Sequence, residues 1–257
     1  MEKFTRNKKK DDQDIVWGIR PVMEAIEAGK TVDRVLIRKQ LRGALVNELI
    51  ALIKDKGIHR QYVPESRLNF LTRKNHQGVV AFMSPIEYHD ISEIVDRAFQ
   101  EGRTPRIVAL DGITDVRNLG AIARTAECAG MDAVLIPAKG SAQINADTIK
   151  ASAGAMMRIP VCKASHFIKE LEQLKSSGLS IVSCTEKAES NLYASNLSGP
   201  ICIVMGSEDM GIQPSVLEMS NERVRIPMSG QTASLNVSVS AGVVIYEMVR
   251  QITESVG

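Results

Sequence analysis

The sequence predicts an α/β protein of two domains, the second built on a mostly parallel sheet. Three observations predict this. From Arg106 onward, short apolar runs (107–110, 133–136, 179–182, 201–205) alternate with helical stretches. Strands buried on both faces, with helices between them, assemble into parallel sheets. Charge also divides the chain: residues 15–85 hold 12 Lys/Arg against 6 Asp/Glu, a net of +6, and residues 86–257 hold 15 against 20, a net of −5. Finally, three polar, glycine-punctuated segments (111–130, 203–212 and 226–249) each follow a β-type run. Loops at the ends of several strands are what a ligand crevice in an α/β sheet requires.

The elements follow in chain order. Residues 1–14 are charged and nearly devoid of apolar groups, which predicts a disordered tail. Residues 15–85 read as a compact α/β module. Ile19–Ala28 is a predicted helix closed by Gly29, Arg34–Arg38 a strand, and Ala44–Lys56 a helix with Leu45, Leu49, Leu52 and Ile53 on one face. Tyr62–Val63 and Gly78–Met83 read as further strands. Residues 86–105 carry Ile91, Ile94, Val95 and Phe99 at helical spacing between Pro85 and the Gly102–Pro105 turn, which predicts a short amphipathic helix inside a pivoting linker. In residues 106–257, helices are predicted at Leu119–Ala129, His166–Lys175 and Val237–Ile252, between the four apolar strands.

Composition removes several function classes. Aromatic residues make up 4% of the chain, so stacking on aromatic platforms is not expected to dominate nucleic-acid binding. The four cysteines are unevenly spaced with no C-x-x-C, and no His, Asp or Glu cluster has metal-ligand spacing, so no metal is expected. No apolar run approaches 18 residues and no leader is visible, which predicts a cytoplasmic protein with reduced thiols and no membrane partner. No G-x-G-x-x-G opens a helix after the first strand of the second domain, and no P-loop occurs, which disfavours dinucleotide and nucleoside-triphosphate sites. A Ser–His hydrolase is a weak reading, because all four histidines precede residue 167 and Ser234 has no obvious partner.

What remains is a neutral, glycine-lined crevice with one arginine. Asn118 is read as starting a helix, either as a plain cap or as a functional group acting from the cap. Arg124, six residues on, is turned by a net of about 240° and shares no face with it. In the first domain the basic residues Arg38, Lys39 and Arg42, then Arg73, Lys74 and His76, cluster near connections and could position a phosphate backbone.

The three segments resemble the SpoU/TrmH family of ribose 2′-O-methyltransferases, within the SPOUT superfamily. N-x-G-A-I-x-R-T-A is present at 118–126, G-x-E-x-x-G-I at 206–212, and I-P-M followed by S-L-N-V-S at 226–228 and 234–238. The resemblance covers residues 106–257. Residues 15–85, closing on N-H-Q-G-V-V-A at 75–81, resemble the small L30e-like RNA-binding domain that precedes the catalytic domain in large-subunit ribosomal RNA guanosine methyltransferases. Two positions depart from the family pattern: Asp209 stands where Gly is frequent, and Val116 lies where Pro is frequent.

The resemblance implies a SPOUT α/β knot, with the C-terminal segment threaded as a trefoil, and a homodimer through the knot domain, with Val243, Val244, Met248 and Val249 as a plausible contributing face. It implies S-adenosyl-L-methionine as cofactor, held by Gly206, Ile226 and Leu235 and lined by Thr185 and Met228. It assigns catalysis to Asn118, Arg124, Glu208, Ser234 and Asn236. An arginine is almost never deprotonated, so Arg124 is expected to grip the target phosphate and stabilise alkoxide charge, with Glu208 open as the proton acceptor. The implied substrate is a guanosine of large-subunit (23S) ribosomal RNA; transfer RNA, or an inactive RNA-binding relative, remain open alternatives.

Overall fold

The computed structural model describes residues 15–232 and 234–256. The tail expected at 1–14 lies outside them. The described residues form two compact units that divide between Pro85 and Ile86.

The first unit runs β1 (Ile15–Trp17), α1 (Ile19–Glu27), β2 (Val32–Arg38), α2 (Ala44–Asp55), β3 (His59–Val63), α3 (Glu65–Leu71) and β4 (Val79–Met83). Its sheet has the order β1-β4-β2-β3, with β4 antiparallel to β1 and β2, and β3 parallel to β2. Alternation along β2 divides the core, as the two-residue period of a strand demands. Val35 and Ile37 pack with Val22 and Ile26 of α1 and Leu49 and Ile53 of α2, whereas Leu36 packs with Leu68 of α3 and Phe82. The sequence reading missed β1 and α3. β1 has three residues, too few to show a period, and α3 starts at Pro64 without a side-chain cap.

The second unit runs β5 (Tyr88–His89), α4 (Ile91–Gln100), β6 (Arg106–Asp111), α5 (Val116–Cys128), β7 (Ala133–Pro137), α6 (Ala146–Ala151), β8 (Val161–Ala164), α7 (Phe167–Ser176), β9 (Ser180–Cys184), β10 (Ser190–Asn191), β11 (Ile201–Gly206), α8 (Pro214–Met219), β12 (Glu222–Arg225) and α9 (Val237–Val256). Its eight strands are ordered β10-β12-β9-β11-β6-β7-β8-β5, and every pairing is parallel. Helices cover both faces. On one, Leu119, Ile122 and Ala126 of α5 and Val244, Ile245 and Met248 of α9 bury Val108, Leu110, Ile203 and Met205. On the other, Ile91 and Val95 of α4 and Leu171 and Leu174 of α7 bury Ile107, Ala109, Cys202 and Val204.

Three expectations are corrected here. Residues 86–105 are no free linker: β5 pairs with β8, and α4, capped by Asp90, buries its apolar face in the second core. Asn118 does not cap α5. Asp115 does, accepting from the Arg117 N–H at 2.7 Å, so Asn118 sits within the first turn. The face expected of α9 for dimer contact is largely interior, since Val244 and Met248 are fully buried. Among the described residues of that helix, the exposed large apolar side chains are Val239 and Tyr246.

Candidate active site

In the second unit, β6 and β11 are the adjacent strands from which the sheet order continues outward through β7 on one side and β9 on the other. The crevice beyond the carboxyl ends of such strands is where open α/β sheets bind ligands. At those ends Gly206 pairs with Asp111. A cavity of about 420 Å³ opens there, lined by Cys184–Lys187 after β9, Gly206–Ile212 after β11, and Ile226, Met228 and Ser234–Val237 between β12 and α9.

Local chemistry fixes each wall. A Cβ on Gly206 would overlap the main chain of Gly211 and Ile212, so the loop can fold back only over glycine. Ser207 and Gly211 exchange backbone hydrogen bonds at 3.1 and 2.9 Å, and the Ser207 hydroxyl accepts from the Met210 N–H at 3.1 Å. The loop exit is pinned by Asp111, only 2% exposed. Its carboxylate accepts from the Gln213 backbone N–H at 2.7 Å and from Gln213 Nε2 at 2.6 Å. A buried carboxylate is tolerated when it is hydrogen-bonded in this way.

At the mouth, Asn236 precedes α9, and its Oδ1 accepts from the Ser238 N–H at 3.0 Å and the Ser238 hydroxyl at 2.5 Å. Its Nδ2 donates to Asn118 Oδ1 at 3.1 Å and to Glu208 Oε1 at 2.6 Å. An amide offers two donors and two acceptor lone pairs, so Asn236 is saturated inside the protein. The second oxygen of Glu208 and the amide nitrogen of Asn118 make no hydrogen bond among the described residues, and stay available to a ligand.

Of the expected catalytic residues, Asn118, Glu208 and Asn236 are therefore in direct contact, and Ser234 lines the cavity beside them. Thr185, Gly206, Ile226, Met228 and Leu235 all line the same cavity. Arg124 is not brought there: it stands on an exposed face of α5, outside the lining, with no hydrogen bond or ion pair among the described residues. The crevice is also not neutral. Glu186, Glu208 and Asp209 line it against the single cation Lys187. The sequence reading missed Glu186 and Lys187, and missed the Asp111–Gln213 clasp, whose partners lie 102 residues apart with no local signal. Burial, aided by the Glu186 charge, pushes the Cys184 thiol up to about 11, so it lines the cavity as a protonated thiol.

The first unit has its own cavity, about 450 Å³, lined by Arg38, Glu65, Asn69, Arg73, Lys74 and Asn75–Gly78. Arg38 pairs with Glu65 at 3.3 Å, and the Lys74 ammonium stands 4.4 Å over the Trp17 ring. Lys39 and Arg42 are exposed but outside this lining. His76 corrects an expectation: it is only 6% exposed, and both ring nitrogens are spent inside the protein. Nε2 donates to Asn69 Oδ1 at 2.9 Å, and Nδ1 accepts from the Gly78 N–H at 2.9 Å. It shapes the loop rather than offering a contact.

Comparison with known proteins shows the family. The family model described as "SpoU rRNA Methylase family" matches residues 105–246, more than half of the chain. The chain belongs to the SpoU methylase family. A second model, "RNA 2'-O ribose methyltransferase substrate binding", matches residues 15–89. A Staphylococcus saprophyticus protein of the TrmH tRNA/rRNA methyltransferase family is 36% identical over 241 residues, 93% of this chain and 96% of its own length. Among solved structures, an RNA 2′-O ribose methyltransferase is 28% identical with a TM-score of 0.54, covering 93% of this chain and 88% of that one. The SpoU methyltransferase AviRb from Streptomyces viridochromogenes shares the fold, with a TM-score of 0.61 at 20% identity over 95% of this chain and 91% of its own. Among the described residues, no helix of this SpoU family member is long and apolar enough to cross a membrane.

Proposed function

We propose that this chain transfers the methyl group of S-adenosylmethionine to a ribose 2′-hydroxyl of a guanosine in large-subunit (23S) ribosomal RNA, as a cytoplasmic homodimer. The observation that carries the reading is the Asn118–Asn236–Glu208 bridge at the mouth of a ligand-sized cavity.

The residues present fit the cofactor. A volume of about 420 Å³ lies within the usual range for small-molecule pockets, roughly 300–1,000 Å³. Ile226, Met228 and Leu235 offer apolar contact for an adenine beside main-chain groups of the 206–212 loop, and the excess of carboxylates suits a cationic ligand better than a phosphate-bearing one. When bound, S-adenosylmethionine supplies a methyl group activated by its sulfonium.

The chain must then orient and deprotonate a poor nucleophile. Asn236 holds Glu208 by one oxygen, which leaves the other to accept the ribose hydroxyl proton. The free amide of Asn118 and the hydroxyl of Ser234 can orient the sugar. Fixed groups of this kind convert encounter into alignment. Arg124 grips the target phosphate and stabilises the developing alkoxide. Because Arg124 stands away from the cavity of its own chain, the second copy of the homodimer supplies it. The trefoil threading of the C-terminal segment belongs to the same reading.

Arg124→Ala should lower turnover about a hundred- to thousand-fold, as loss of one charge-stabilising donor does, while S-adenosylmethionine affinity by calorimetry stays unchanged. Mixing Arg124→Ala with Glu208→Gln subunits should restore activity; no restoration would refute a shared site. Mapping 2′-O-methylation on RNA from cells with and without the protein identifies the substrate. Loss of one 23S guanosine methyl is expected, and a loss confined to transfer RNA would reassign it.

A further inference from the structure

Among the described residues, the most exposed large aromatic side chain of the first unit is Phe70. Phe70, on α3, is 78% exposed, although Leu68 two residues earlier is fully buried in the same short helix. The sheet-facing side of α3 is supplied by Leu68 and Leu71, which pack against Leu36, Val63 and Phe82. At about 100° per residue, Phe70 is turned roughly 160° from Leu68, onto the solvent side. The Arg67 guanidinium lies 5.9 Å from its ring centroid. Such placement does nothing for the core.

Asn69, the residue before Phe70 in sequence, lines the cavity of the first unit, together with Arg38, Arg73, Lys74 and the Glu65 carboxylate that pairs with Arg38. Arg73 is exposed and makes no ion pair among the described residues. The cavity wall is also held in a strained shape. Gln77 has φ 51°, a left-handed value that a side chain other than glycine seldom adopts. Its side chain accepts from the Ile19 N–H at 3.2 Å, while His76 clamps Asn69 and Gly78 from within. Backbone held in such a range recurs at ligand-binding sites. An exposed aromatic ring one residue along the helix from a cavity with three cations in its wall is a pairing that suits single-stranded nucleic acid, with the base on the ring and the phosphates among the cations.

We propose that Phe70 is a stacking platform for an unpaired nucleotide of the substrate RNA, whose adjoining phosphate enters the cavity between Arg38, Arg73 and Lys74. The assignment rests on the RNA-methyltransferase reading and adds a substrate feature to it: an unpaired stretch engaged by the first unit. Inside a duplex every base face is covered by its stacked neighbours and reaches the ring only by unstacking.

The test uses the full-length protein and two fluorescein-labelled RNAs of one sequence, a 12-nucleotide single strand and its duplex, with anisotropy read across a salt series. The native protein should prefer the single strand. Phe70→Ala should weaken that binding about 5- to 100-fold, the usual range for loss of one base stack, without changing the slope of affinity against salt. Phe70→Tyr should restore it, whereas Phe70→Leu should not. Arg73→Ala should lower affinity and reduce the slope by about 0.7, as loss of one phosphate contact on a single strand does. In methyl transfer, Phe70→Ala should raise KM for RNA and leave kcat unchanged. Native-like affinity in Phe70→Ala or Phe70→Leu, or equal affinity for the duplex, overturns the proposal while the methyltransferase reading stands. Binding of S-adenosylmethionine with no binding of either RNA overturns both.

Discussion

Asn236 concentrates two jobs in one side chain. Its Oδ1 caps α9 through Ser238, and its Nδ2 ties Asn118 to Glu208. Asn236→Asp separates the two. A carboxylate caps a helix as well as an amide does and suits the positive helix start, but it cannot donate to Glu208 and repels it. The variant should melt close to the native protein while methyl transfer falls on the order of 100-fold, the cost of misplacing a reacting group by about 1 Å. Asn236→Ala should lose the cap as well, about 1 kcal/mol of stability. Thermal melts and initial rates measured on the same preparations check both; a fully active Asn236→Asp protein would remove the bridge from the mechanism.

At the scale of elements, two glycines separate site geometry from fold stability. Gly206→Ala places a methyl into the main chain of Gly211 and Ile212. The 207–211 loop must then move, and loss of S-adenosylmethionine binding is expected in a protein that still folds. In Gly120→Ala the new Cβ would lie 2.6 Å from Ala151 Cβ and 2.9 Å from the Ser152 nitrogen, across the α5–α6 contact. Overpacking of this kind costs about 1–3 kcal/mol, so the expected loss there is in denaturant midpoint. Calorimetric titration beside urea unfolding distinguishes the two patterns, and unimpaired cofactor binding by Gly206→Ala would contradict the loop geometry.

The same elements show what could be read from the sequence. The longer helices and the four apolar strands were legible because periodicity over ten or more residues, or an unbroken apolar run, leaves few alternatives. β12, α6 and α8 were not, since segments of four to six residues show no period. Asn118, Glu208 and Asn236 could be named from their motifs, yet their convergence depends on parallel pairing that no local pattern encodes. Arg124 could be named too, but only the structure reveals that its helix carries it away from the cavity. Phe70 was not legible either: α3 has seven residues and no side-chain cap, and no local pattern tells a solvent-facing aromatic from a buried one.

For the whole molecule, charge and pH set the working range. The first unit, net +6 over residues 15–85, should make RNA affinity fall steeply with salt. Stability in acid has an identifiable contributor in the second unit. Glu247, 6% exposed, is bound by Arg250 at 2.9 and 2.8 Å and by Gln251 at 2.8 Å, and these hydrogen bonds, led by Arg250, hold its carboxyl below the ordinary 4.5. A lowered folded value means that the unfolded chain binds the proton first. The contribution is therefore complete above 4.5 and disappears as pH falls through the folded value. Glu247→Gln should flatten the acid limb of a stability-against-pH curve; an unchanged limb would show that other carboxylates govern it.

The most direct test of the central claim is to incubate the protein with S-[methyl-³H]adenosylmethionine and ribosomal RNA, then hydrolyse the RNA in alkali. Alkaline cleavage needs a free 2′-hydroxyl, so a ribose methyl leaves its label in a resistant dinucleotide. Label should appear there and be lost with Glu208→Gln. Label released in mononucleotides, as from a methylated base, or label undiminished in Glu208→Gln, would contradict the claim.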